Sequence, residues 1–182
     1  MKKVLTNPQF DSYKKLKEFV LSPYCKWTHM GESIPPSHKE KEDPKYKNTD
    51  FYAHSFLARP RSDVVRYPSV EDSEYIDLVS TALCDIMMYN GFCVRNFYRI
   101  CANATHPFNK IYTTVPHQDH QYEHGNVILY LTDAGGKTFV ENGNDSYEYH
   151  DPREDDVFLF SGSHYNETPK DKRRVIIVAT FI

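Results

Sequence analysis

His117 and Asp119, in the run Pro116-His117-Gln118-Asp119, have the spacing of two metal ligands on an extended segment. Residues two apart on such a segment point to the same face, so both can reach one ion while Gln118 points away. A second histidine, His164, follows the apolar run Val157-Phe158-Leu159-Phe160 and the turn Ser161-Gly162-Ser163, and an arginine, Arg174, lies further on. Two imidazoles and one carboxylate on one side of a metal leave the other side open to added ligands, an arrangement suited to oxidation chemistry at a ferrous ion.

Context carries this reading, because 9 His and 14 Asp in 182 residues supply about 0.7 His-x-Asp matches by chance. His38-Lys39-Glu40 has the same carboxylate spacing, but it lies in the charge-rich stretch 37–50, with no apolar alternation to fix the side chains. His117 and Asp119 sit among strand-like segments instead. His120, His124 and His150 compete as ligands. His120 alternates to the face opposite Asp119, His124 falls in the expected loop 121–126, and His150 adjoins the turn at Asp151-Pro152, so solvated or substrate-facing roles suit them better.

The elements that must position these groups are legible from periodicity. Asn7-Pro8 followed by Phe10, Tyr13, Leu16 and Val20 predicts a capped amphipathic helix ending before Pro23. A strand is expected near Trp27 and another over 51–57, with a loop over 37–50 between them. Ser69, with Asp72 three residues on, predicts the cap of a second helix whose stripe is Ile76, Val79, Leu83, Ile86 and Met87, ended by Asn90-Gly91. Beyond it the period shortens, with strands expected over 92–100, 111–115, 127–131, 138–140, 147–149, 157–160 and 175–181. This pattern reads as one domain over 1–182. A helical support region, 1–91, precedes a β-rich core, 92–182, built as an antiparallel sandwich or barrel able to hold one ligand at its mouth.

Composition narrows the function classes. Apolar residues make up 40% of the chain and aromatics 14%, enough for one substantial core. The net charge of −3 argues against a general nucleic-acid or membrane-surface binder. No stretch has the length and apolarity of a signal peptide or a membrane span, so a cytoplasmic setting is expected. Cys25, Cys84, Cys93 and Cys101 contain no C-x-x-C pair, which favours reduced, mostly buried thiols.

The order of motifs is similar to a known family. His117-x-Asp119, then Val127-Ile128-Leu129-Tyr130-Leu131-Thr132, Gly135-Gly136-Lys137-Thr138-Phe139, Asp156 to Phe160, His164 and Arg174-Val175-Ile176-Ile177-Val178 resembles the prolyl-4-hydroxylase-like 2-oxoglutarate/Fe(II) oxygenases, especially small phage-type members, over about half the chain. The resemblance implies a double-stranded β-helix, the cupin-like jelly roll, with His117, Asp119 and His164 as iron ligands. It implies Arg174 on the distal carboxylate of 2-oxoglutarate, with Tyr130 bonding the same group. Arg173 takes that role if the connection from His164 is one residue shorter, since neighbouring strand residues face opposite ways. Arg99-Ile100-Cys101-Ala102-Asn103 resembles the strand before the His-x-Asp segment, making Asn103 a co-substrate neighbour or a structural polar contact.

Gly135-Gly136 is read as a turn without chemical role, and Lys137 departs from the acidic residue of many relatives. Tyr112, Tyr122 and Tyr165 flank the expected opening. With Fe(II), O2 and 2-oxoglutarate, the implied reaction is hydroxylation of a C–H bond of a peptide, protein or small molecule, with release of succinate and CO2. A phage-encoded enzyme of this kind acts in the host cytoplasm. The rival readings are a metal-dependent enzyme that does not use 2-oxoglutarate, against which Arg174 argues, and a non-catalytic jelly-roll binding protein with a structural or inactive metal site.

Overall fold

The computed structural model describes residues 1–31, 46–47, 49–59, 69–143 and 146–182. In chain order these form β1 (Lys2–Leu5), α1 (Asp11–Leu21), β2 (Thr28–Met30), β3 (Phe51–Ala58), β4 (Val70–Glu71), α2 (Ile76–Tyr89) and β5 (Phe97–Thr105). Then come β6 (Gly125–Tyr130), β7 (Thr138–Glu141), β8 (Tyr147–His150), β9 (Val157–Phe160), β10 (His164–Asn166) and β11 (Arg174–Phe181). One sheet runs β1-β9-β6-β11-β5-β3-β2, with β4 beside β3, and a second runs β10-β7-β8. Every strand pairing is antiparallel.

The central strands are buried on both faces, so period two sorts their side chains into two cores. Val127 and Leu129, Val157 and Leu159, and Val175, Ile177 and Ala179 join Tyr13, Leu16, Val20, Val79, Leu83, Ile86 and Met87 from the helices in one cluster. The alternate residues Ile128, Tyr130, Phe158, Phe160, Ile176 and Val178 pack with Val140 of β7 in a second cluster. Helices therefore cover one face of the large sheet and the small sheet approaches the other. That second face carries the candidate site.

The helical stripe of α2 and its end at Asn90-Gly91 match the sequence reading; Gly91 has φ +80 and its N–H bonds the Met88 carbonyl. Both helix starts differ from it. Ser69 caps nothing: its hydroxyl donates to the Tyr98 carbonyl, and Val70-Glu71 pair with β3, so α2 begins at Ile76 behind a turn at Ser73. Asn7 accepts from the Gln9 N–H and donates to the Asp155 carbonyl, leaving α1 to start after Phe10 without a side-chain cap.

Three strand expectations also shift. β5 runs to Thr105 because its second face carries Arg99, Cys101, Asn103 and Thr105, polar groups that hide a strand from a search for apolar runs. Residues 111–115 form no ladder strand; Thr113 makes two isolated bridges, to Tyr46 and to Glu167. The segment 1–91 contributes β1, β2, β3 and β4 besides its two helices, and β1 and β2 form the edges of the large sheet. Residue 68, the decoy at 38–40 and most of the loop 37–50 lie outside the described residues. Among the described residues no helix is long and apolar enough to cross a membrane.

Candidate active site

Register defines the site. Across β9, β6, β11 and β5 the second face carries a row of Phe160, Asn126, Thr180 and Arg99. Next to it stand Phe158, Ile128, Val178 and Cys101, and then, across β6, β11 and β5, Tyr130, Ile176 and Asn103. Arg174 opposite Thr105 closes the face. Successive rows are about 6.8 Å apart, two residues along an antiparallel strand. A polar row at one end and polar groups at the other thus flank an apolar strip.

The metal-ligand candidates gather at the first row. His117 and His164 exchange backbone hydrogen bonds of 3.0 and 2.9 Å, which fixes the extended segment 116–119 against β10 although it is not a ladder strand. Their rings lie 4.5 Å apart, and one ligand atom from each of His117, Asp119 and His164 falls within 4.8 Å of the others. His117 Nδ1 lies 3.0 Å from the Val115 carbonyl and His164 Nδ1 lies 3.3 Å from that of Gly162. A carbonyl only accepts, so each Nδ1 carries the proton and each Nε2 the lone pair a metal needs. Burial, reinforced by His117, pushes the His164 imidazole down to about 4, which keeps that ring neutral.

Asp119 is 6% exposed. Its Oδ1 accepts from Arg99 at 2.9 Å and from Arg59 at 3.4 Å. Among the described residues its Oδ2 has no hydrogen-bond partner, and it lies 3.7 Å from His164 Nε2. Burial pushes this carboxyl up, but Arg99, then His164, His117 and Arg59, outweigh it and hold the carboxyl well below the usual range. An anionic oxygen with no hydrogen bond, beside two oriented imidazoles, has the donor chemistry of a divalent-metal site.

At the other end Arg174 is 6% exposed, and its Nη1 donates to the carbonyls of Gly136 at 3.3 Å and Glu167 at 2.9 Å. Among the described residues it pairs with no carboxylate. A buried guanidinium satisfied only by carbonyls suits an incoming carboxylate through its fork of donors. Gly136 makes room for it: with φ +84, a Cβ there would lie 2.8 Å from both Arg174 Nη1 and the Glu167 carbonyl oxygen. The Gly-Gly turn therefore has a positioning role that sequence reasoning missed, signalled only by the glycine itself.

Tyr130 is buried beside this end. Its hydroxyl lies 2.7 Å from Thr138 Oγ1, which donates in turn to Asn166 Oδ1 at 2.7 Å, so the Tyr130 proton goes to Thr138. Asn103 Oδ1 accepts from the Cys101 thiol at 3.1 Å. Arg173 is exposed and shares the parity of Val175, on the helix side of the strand, so parity puts only Arg174 on the site face.

The rival histidines lie outside the group of three ligand candidates. His120 is buried, bonds Thr180 Oγ1 at 2.8 Å and stacks on Tyr122 at 4.7 Å; burial pushes it down to about 4. His124 is buried beside it, their rings 4.9 Å apart. Neither is solvated. His150 stacks on Phe158 at 4.7 Å and lies 3.1 Å from Asp156. Tyr165 stacks on Phe139 at 4.6 Å and Lys137 lies 4.3 Å from the Tyr149 ring, while Tyr112 carries Lys47 at 4.1 Å.

No family model and no curated protein matches the sequence. Solved structures do. Over 99% of this chain and 84% of the other, the structure matches an oxidoreductase of the 2OG-Fe(II) oxygenase family from Burkholderia pseudomallei, with a TM-score of 0.71 and 11% identity. The two chains share a backbone fold. It is shared with SnoN, a non-heme alpha-ketoglutarate dependent epimerase from nogalamycin biosynthesis, at a TM-score of 0.59 and 9% identity over 100% of this chain and 77% of that one. At such identity the likeness is one of backbone, and the chemistry of this oxygenase-like fold has to be argued from its own side chains.

Arg99 and Asn126 were not singled out by type or spacing. Arg99 had a faint signal, the alternation of polar residues with Ile100, Ala102 and Ala104 along one strand. Asn126 had none, because a lone polar residue at the start of an apolar run reads as a turn.

Proposed function

We propose that this chain is an Fe(II)- and 2-oxoglutarate-dependent dioxygenase, a small single-domain member of phage type built as a double-stranded β-helix. In this reading it hydroxylates a C–H bond of a peptide, protein side chain or small molecule. One observation supports it above the others: a His-Asp-His triad and a buried arginine without a carboxylate partner share one sheet face.

His117, Asp119 and His164 hold the metal, and Arg174 takes the distal carboxylate of the co-substrate, with Tyr130 and Asn103 as its neighbours. Bound there, iron and 2-oxoglutarate supply O2 activation coupled to decarboxylation, with succinate and CO2 released. The protein binds and orients. Arg99 and Arg59 hold Asp119 Oδ1, which leaves Oδ2 for the metal. The strip of Ile128, Ile176 and Val178 presents an apolar floor that excludes water between the two ends. None of the three ligands is needed as a general acid or base.

The test is anaerobic addition of Fe(II) and 2-oxoglutarate. A weak visible charge-transfer band requiring both, absent in Asp119→Ala, is the expected result, with succinate formed under air. No band and no succinate favours the non-catalytic binding protein.

A further inference from the structure

Asn126 is wholly buried at the start of β6, and among the described residues neither its Oδ1 nor its Nδ2 meets a hydrogen-bond partner. Strand alternation puts it on the same face as Ile128 and Tyr130, and register puts it between Thr180 and Phe160. Both neighbours touch the metal ligands or their surroundings: Thr180 bonds His120, next to Asp119, and the Phe160 ring lies 4.9 Å from that of His164. Asn126 therefore stands in the row of the triad.

His124 adds a second orphan. Its Nδ1 lies 2.7 Å from the Tyr122 carbonyl, so Nδ1 donates there; in the neutral ring Nε2 is then an acceptor, and it too is buried without a partner. His124 packs on His120, which bonds Thr180, the cross-strand neighbour of Asn126. Most buried polar atoms are satisfied, and leaving them unmade is costly. Three unmet atoms on neighbouring residues beside the candidate metal therefore point to a ligand.

The chemistry of that ligand follows from the atoms. Asn126 Oδ1 and His124 Nε2 accept, and Asn126 Nδ2 donates, so the complement carries two N–H groups and a carbonyl. Asp119 Oδ1 is already taken by two arginines, and the Asn126 amide carries no charge to pair with an ion. An uncharged primary carboxamide supplies this set.

We propose that Asn126 and His124 form a substrate-anchoring subsite for a primary carboxamide, an asparagine- or glutamine-type side chain or a small primary amide; the assignment of this group as substrate rests on the oxygenase reading above. The experiment uses 15N-labelled full-length protein loaded with Zn(II), a redox-silent stand-in. The side-chain NH2 signal of Asn126 is identified by its loss in Asn126→Leu. N-acetylasparagine N-methylamide is expected to move that signal saturably and N-acetylaspartate N-methylamide, which has no primary carboxamide, to leave it in place, with affinity for the first falling at least tenfold in Asn126→Leu by calorimetry.

Acetamide saturating the same signal identifies a small amide as sufficient. A response to N-acetylasparagine N-methylamide but not to acetamide identifies a peptide side chain. Because Asn126→Leu removes unmet polar atoms, it is expected to raise Tm by about 3 °C and to leave 2-oxoglutarate affinity unaltered. The proposal is overturned by equal response to the aspartate analogue, by no response, by amide binding undiminished in Asn126→Leu, or by a fall in Tm or in 2-oxoglutarate affinity. An Fe(II)/2-oxoglutarate band without an amide response sinks the subsite alone. An amide response without the band keeps the subsite and sinks the oxygenase reading.

Discussion

The two ends of the site face solve opposite electrostatic problems. At the first row a buried carboxylate, Asp119, is compensated by Arg99 and Arg59, and what remains unmet is one oxygen. At the far end a buried cation, Arg174, donates to backbone carbonyls and, among the described residues, pairs with no carboxylate. A buried charge is tolerated when paired and costly when not. On the reading proposed above, the first row thus lacks only a cation beside one carboxylate oxygen and two imidazoles, whereas the far end lacks a whole charged partner. The difference makes the two arginines separable by experiment.

Replacing Arg174 by Met is the strongest test. It removes the buried cation that stands at the far end, and losing a buried charge-assisted contact costs about 2–5 kcal/mol of ligand binding. The KM for 2-oxoglutarate is expected to rise about 100-fold or more, with Fe(II) affinity unchanged. Stability, read by urea unfolding, should move within about 1 kcal/mol, because an uncompensated buried charge is removed along with its carbonyl contacts. A large loss of stability with an unaltered KM would make Arg174 a structural residue.

Arg99→Met should give the opposite pattern. It strips the closer of two cations from a buried carboxylate, so stability is expected to fall by about 3 kcal/mol. Metal affinity should drop about 10–100-fold, as for other outer partners of metal ligands. The KM for 2-oxoglutarate, measured at saturating metal, should change little. If both variants raise KM equally and neither loosens the metal, the two ends are not distinct.

This division was only half legible in the sequence. The His-x-Asp pair announces itself by its two-residue spacing, and β6, β9 and β11 by continuous apolar runs, because these strands are buried on both faces. Arg173 and Arg174 could not be told apart until the register fixed Arg174 opposite Thr105. β5 was cut short and β1 missed for related reasons. A strand that lines a site carries polar groups on one face, and an edge strand such as Lys2–Leu5 carries charge to avoid further pairing. The unmet atoms of Asp119 and Asn126 left no trace at all, since hydrogen-bond satisfaction is a property of three-dimensional neighbours.

Gly136→Ala probes the far end without touching its charge. A methyl group in a φ +84 conformation, 2.8 Å from Arg174 Nη1, forces either the backbone or the guanidinium to shift. A loss of about 1–3 kcal/mol in stability is expected. The KM for 2-oxoglutarate should rise about tenfold, while metal affinity stays put. An Ala variant with wild-type stability and KM would mean that the turn relaxes freely and that Arg174 is not held by it.

The smallest effect belongs to Tyr130. Its proton is given to Thr138, so its contribution to a bound carboxylate is one neutral hydrogen bond at most, worth about 0.5–1.5 kcal/mol. Tyr130→Phe is therefore expected to raise the KM for 2-oxoglutarate only about 2–10-fold, far less than Arg174→Met. Burial pushes the Tyr130 hydroxyl up to about 12, against the opposing influences of Thr138 and Arg174. The group stays protonated at lower pH, so the ratio of variant to wild-type KM should be flat from about pH 6 to 9. Its raised value stabilises the fold below the ordinary tyrosine range, and that contribution is lost only as pH climbs from about 10 towards 12. A ratio that changes with pH across neutrality would show that an ionising group other than Tyr130 governs the co-substrate end.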